Sequence, residues 1–147
     1  MKTYMLLLSI LVVSLFGCGT KEPEKSLSER IRQVWTVNIV KENSTTVYTK
    51  GASSNPKPGY GQFKLDLTQE KTVRLTEVDN NTFVGTWTLS ADNTKLTLSD
   101  LNPQPSGSNG TIEYTVDSDA SETALNLNRL SQNLKTGGVN TRYELTK

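Results

Sequence analysis

Residues 83–99 read "FVGTWTLSADNTKLTLS", and the fold turns on how this stretch is read. Phe83, Gly85, Trp87 and Leu89 share one parity, and Val84, Thr86 and Thr88 share the other. That is the period-two pattern of a strand with one buried face. "SADNTK" at 90–95 supplies turn residues and sends the chain back into Leu96 and Leu98, which makes an antiparallel hairpin. With Gly85 and Trp87 on one face, the missing side chain is expected to leave room for the indole.

The same alternation spreads in both directions. Upstream, Trp35, Val37 and Ile39 alternate with Thr36, Asn38 and Val40. Phe63, Leu65 and Leu67 alternate with polar neighbours, as do Val73 and Leu75, and Val47 with Thr49 marks a weaker strand. Downstream come Ile112, Tyr114 and Val116, then Leu125 and Leu127, then Val139, Thr141, Tyr143 and Leu145. "GASSNPKPG" at 51–59 and "NPQPSGSNG" at 102–110 are loops, since proline excludes a central strand. One helix is expected, from about residue 27 to 33. Ser26 with Glu29 forms a capping box there, and Leu27, Ile31 and Val34 share a face.

Eight or nine alternating strands joined mostly by short turns leave no helical crossover for a parallel sheet. The expected class is all-β, an antiparallel up-and-down meander closing into a barrel, with the short helix at one end or over a sheet edge. A β-sandwich gives the same alternation and remains the alternative.

The chain opens "MKTYMLLLSILVVSLFGCGTKEPEK". Lys2 and the apolar Met5–Phe16 stretch form a secretory leader, too short to span a bilayer that needs about 20 apolar residues. Leu15-Phe16-Gly17-Cys18 resembles the lipobox of bacterial lipoproteins. That resemblance implies a diacylglyceryl group on the Cys18 sulfur and cleavage before it. The expected organisation is a signal peptide over 1–17, lipidated Cys18 and a polar tether over 18–26, and one barrel domain over 27–147. Gly19 is not the aspartate that resembles an inner-membrane retention signal, so the outer membrane is the expected site. "KEPE" at 21–24 is similar to the surface-export signals of some Gram-negative lipoproteins, and reads equally as a charged linker.

Composition narrows the chemistry. The chain has 16 Lys plus Arg and 15 Asp plus Glu, and losing Lys2 with the leader brings the two into balance. No basic stripe is present to follow phosphates, so nucleic acid is not an expected partner. Cys18 is the single cysteine and histidine is absent, which removes Ser-His and Cys-His hydrolase chemistry. No enzyme activity, cofactor or metal is expected. Glu42, Asp66, Glu70, Glu77, Asp79, Glu113 and Glu144 read as solvated carboxylates on polar faces or turns. "DSDASE" at 117–122 lacks the glycine and spacing of an EF-hand loop, so it reads as a solvated turn.

Lipobox, tether, short helix, Trp-bearing strand and meander together resemble bacterial lipocalin-like lipoproteins. The most recognisable piece is Gly85-Thr86-Trp87-Thr88-Leu89 followed by Leu96 and Leu98. Animal lipocalins carry Gly-x-Trp on their first strand, which corresponds here to Gln33-Val34-Trp35 without the glycine. Their closing arginine over that Trp is matched only by Arg142, whose parity points outward. The resemblance implies a barrel that binds a small apolar ligand. The lining would come from Trp35, Phe63, Gly85, Trp87, Tyr114 and Tyr143, with the membrane engaged through Cys18. The competing expectation is a filled barrel, these aromatics being its core, with loops 51–59 and 102–110 contacting an envelope or host partner.

Overall fold

The computed structural model describes residues 23–147. The expected leader, Cys18 and the start of the tether lie outside the described residues. Nine strands follow one short helix: α1 Leu27–Arg30, β1 Val34–Glu42, β2 Thr45–Thr49, β3 Lys64–Asp66, β4 Thr72–Thr76, β5 Thr82–Leu89, β6 Lys95–Asn102, β7 Ile112–Val116, β8 Ala124–Arg129 and β9 Thr141–Thr146. Two 3-10 turns, Pro58–Gln62 and Leu134–Thr136, lie in the β2–β3 and β8–β9 connections.

Each strand from β3 onward pairs antiparallel with the next, and β1 pairs with β9. The pairing Thr36–Thr146 through Glu42–Thr141 closes the ring, so the chain is a barrel and not a sandwich. β2 and β3 share the other edge of β1. β2 takes Ile39–Glu42 and β3 takes Val34–Thr36, giving an eight-stranded ring with one extra strand. No ring strand is left with a free edge along its whole length.

The inward positions hold the core: Trp35, Val37, Leu65, Val73, Leu75, Leu96, Leu98, Ile112, Tyr114, Leu125, Leu127 and Tyr143 are all buried. At one end, here the base, α1 and its C-cap residue add Leu27 and Ile31 to this core. Its capping box is formed, Ser26 and Glu29 each satisfying the other's backbone N–H. The helix stops at Arg30, short of residue 33. The chain must become extended to enter β1 at Val34, and the Gln33 side chain donates to the carbonyls of Arg30 and Glu122 instead. The Trp35 indole N–H donates to Ile31 O at 2.8 Å, locking α1 onto the first strand.

Two bulges depart from simple alternation. In β1, Val37 faces Leu145 while Ile39 faces Glu144, so Asn38 is an extra residue. Parity flips there: Val40 and Glu42 turn inward and Ile39 is half-exposed, the reverse of the expected alternation. In β6, Ser99 faces Thr86 while Asn102 faces Val84, and Asp100 adopts φ 54°. This bulge drives β6 backbone across Gly85. A Cβ on Gly85 would sit 2.3 Å from Ser99 O and 3.0 Å from Leu101 N. The space beside Gly85 is therefore taken by the neighbouring strand's backbone and not by the Trp87 indole.

Candidate functional site

The antiparallel order separates the connections between two ends. α1, the β3–β4, β5–β6 and β7–β8 turns and the C-terminus lie at the base. Lys25 pairs with Glu122 of the β7–β8 turn at 3.0 Å, which keeps the N-terminal segment there too. The connections 103–111 and 130–140 gather at the opposite end, the mouth, and 50–63 turns beside the middle of β1 before Lys57 and Tyr60 bring it to Glu42 there.

Inside the ring the expected lining residues do not form one group. Trp35 and Trp87 lie toward the base, and the Trp87 indole N–H donates to Gln69 O at 2.9 Å. Phe63, Tyr114 and Tyr143 meet higher up. Phe63 stacks on Tyr143 at 4.5 Å between ring centroids, and Tyr114 meets Tyr143 edge-on at 6.1 Å. Tyr60, carried by the first 3-10 turn and missed in the sequence among loop residues, completes this cluster edge-on to Tyr143 at 6.1 Å. Offset and edge-on pairs of this kind contribute about 0.5–1.5 kcal/mol each beyond burial. The best-formed concavities all open outward, and none is lined by two of these aromatics.

Above the aromatics sits a polar layer. Glu77 continues the inward series Val73, Leu75, and Arg129 continues Leu125, Leu127; both are buried. They meet across the interior at 3.1 Å. Lys135, from the second 3-10 turn, reaches Glu77 at 2.7 Å and Asp79 at 2.8 Å, with its ammonium 4.6 Å from the Phe83 ring centroid. Glu42 accepts from the Tyr60 hydroxyl at 2.6 Å and pairs with Lys57, which also donates to Thr136 O. Lys57 thereby ties the two 3-10 turns together over the mouth. Glu42 and Glu77 are thus interior groups, against the expectation of solvated carboxylates. The β1 bulge explains the first, and the unbroken parity of β4 explains the second.

Arg142 lies on the outer face near the mouth, pairing with Asp117 at 2.7 Å and Glu144 at 3.5 Å, far along the strands from Trp35. The acidic residues of 117–122 disperse: Asp117 to Arg142, Asp119 to Asn126, Glu122 to Lys25.

Burial sets the electrostatics. It pushes the Tyr143 phenol up to about 12, and pushes those of Tyr60 and Tyr114 upward as well. For Lys135, burial works against the charged form, but hydrogen bonds to Asp79 and Glu77 outweigh it and raise its pKa. A raised folded pKa contributes stability that is fully present below the unfolded value and lost as pH rises through the folded one. The window is therefore alkaline, opening near pH ~10 where free phenols and ammonium groups titrate. The expected result is cooperative unfolding between about pH 10 and 12, tyrosinate absorbance rising together with loss of the β-sheet dichroism. Gradual ionisation of the phenols with the dichroism intact would contradict it.

No protein-family model matches the chain, and no curated protein matches it. Two solved structures align with it. One is a lipocalin-like protein from Bacteroides uniformis, 16% identical, covering 80% of this chain and 98% of that one, with a TM-score of 0.45. The other is an uncharacterized protein from Bacteroides eggerthii, 13% identical, covering 78% and 97%, with a TM-score of 0.43. The barrel assignment rests on this chain's own ring of pairings.

Proposed function

We propose that this chain is a non-enzymatic, lipid-anchored envelope protein whose filled barrel presents the mouth loops to a partner. The observation that carries the reading is the segregation of the ends. The N-terminal segment leaves from the base, and the connections 103–111 and 130–140, with the 57–60 turn, gather at the mouth. A lipid on Cys18, followed by the polar tether, would hold the base toward the membrane and turn the mouth away from it. The packed aromatics and the ion-paired layer above them favour the mouth over the barrel axis as the recognition surface.

A photo-crosslinking residue at Ser106 or Leu134, both exposed in the mouth loops, tests this in intact cells against one at Asn93 in a base turn. Discrete adducts are expected from the mouth positions only. No adduct, or the same adducts from Asn93, would refute the reading.

The second reading, carriage of a small apolar ligand inside the ring, draws support from the Tyr114 hydroxyl, which is buried without a hydrogen-bond partner. Interior polar atoms of that kind are uncommon in a finished core. A fluorescent fatty-acid probe separates the two: saturable uptake by the full chain establishes carriage, and the filled-barrel reading expects none.

A further inference from the structure

Among the described residues, β2 is the strand outside the ring, and it pairs with β1 alone. A strand edge of this kind is a template for another chain, and proteins blunt it with charge, proline, a bulge or a cover. Residues 44–49, Ser-Thr-Thr-Val-Tyr-Thr, carry neither charge nor proline. All five residues of β2 are β-branched or aromatic, the types that favour extended pairing. Its own defences are its shortness and one bulge. Val40 faces Tyr48 and Lys41 faces Thr46, so Val47 is an extra residue.

The cover comes from the next connection. Tyr48 lies opposite Val40 and the Lys50 N–H donates to Asn38 O, so Tyr48 and Lys50 turn their backbone groups toward β1 and Thr49 turns its own away. Asn55 meets Thr49 there as a neighbouring strand would. The Thr49 N–H donates to Asn55 Oδ1 at 2.7 Å, and Asn55 Nδ2 donates to Thr49 O at 3.1 Å. An amide side chain can do this because it holds a donor and an acceptor side by side. The Lys57 N–H then takes Val47 O at 3.0 Å. Pro56 and Pro58 have no N–H, so the strap closes the edge of β2 without presenting a paired edge of its own. Beyond them the strap is fastened by Lys57 and Tyr60 to Glu42.

We propose that Asn55 is a latch over a strand-addition surface, and that the strand this surface fits is β2 of a second copy of this chain. Antiparallel pairing of two such strands about a two-fold axis sets Thr45 opposite Thr49 and Thr46 opposite Tyr48, and no like charges meet. With the latch closed the chain stays single at this edge. The inference stands apart from either reading of the mouth, since it concerns the side of the barrel.

The test measures the mass of the full chain in mild detergent by light scattering over a range of concentrations. The parent is expected to remain single. Asn55→Ala should form a dimer, with a dissociation constant at least about tenfold below any seen for the parent. Asn55→Asp keeps the acceptor for the Thr49 N–H and loses the donor, so it should fall between the two and carries the test if Asn55→Ala does not fold. Adding Thr46→Lys, a charge at an exposed position of the same strand, should return each variant to a single chain. Amide exchange at Thr49 should be slow in the dimer and fast in the dilute variant. Variants as monomeric as the parent, or a dimer that survives Thr46→Lys, would overturn the proposal. A parent dimer abolished by Thr46→Lys would also overturn it, because the edge would then be open with the latch in place.

Discussion

Replacing Gly85 with alanine is expected to destabilise the barrel by about 3 kcal/mol, and replacement with valine by more. The added Cβ meets backbone, the Ser99 carbonyl at 2.3 Å, and not a side chain that can rotate away. Relief requires either moving β6 off β5 or removing the bulge at Asp100. Removing the bulge would shift the register of Leu101 and so displace a buried residue. Urea denaturation reads the effect directly, and a fall of roughly 10 °C in Tm is the thermal equivalent. Val84→Ala, at an exposed neighbouring position, serves as the control and should stay within about 0.5 kcal/mol. A Gly85→Ala variant as stable as that control would show that the bulge yields freely.

The second large effect concerns the ion pair beneath the mouth. Glu77→Leu alone is expected to cost about 3–5 kcal/mol, because it leaves Arg129 charged and buried and removes one of the two carboxylates facing Lys135. Arg129→Met alone should cost less, about 1–3 kcal/mol, because Glu77 keeps Lys135 at 2.7 Å. The double variant, with both charges replaced by apolar groups of like volume, should lie within about 1–2 kcal/mol of the parent. The double-mutant cycle is the measurement. Additive losses would mean that the two groups do not stabilise one another and that Glu77 is held by Lys135 alone.

These two sites show what the residues alone can and cannot convey. Alternation is a local property. The inward set of β4, β5, β7 and β8, the capping box at Ser26, and the closing of a meander into a ring were all readable from spacing. Register changes are not local. Nothing in Val37-Asn38-Ile39 distinguishes a bulged strand from a straight one until Leu145 and Glu144 lie opposite, and so Glu42 read as a surface carboxylate. The Gly85 reading failed for the same reason, since its occupant comes from β6. Arg129 was within reach: it holds the next inward position after Leu125 and Leu127, and Glu77 the next after Val73 and Leu75. A charged residue extending an apolar series by two is a signal that a buried partner stands across the ring. Tyr60 was not within reach, because its entry into the interior depends on a 3-10 turn inside a proline-bearing loop.

The seam between β1 and β9 also acts as a timer. It joins the first strand of the domain to the last, Thr36 with Thr146 at one end and Glu42 with Thr141 at the other. A chain emerging N-terminus first cannot complete its cylinder until those final residues arrive, and contacts so remote in sequence form slowly. Until then β1 exposes half of its backbone hydrogen-bonding groups, and the Trp35 and Val37 side chains lack their last neighbours. Closure of the cylinder is therefore the step that waits on residues 141–146, whatever the strands between have already formed.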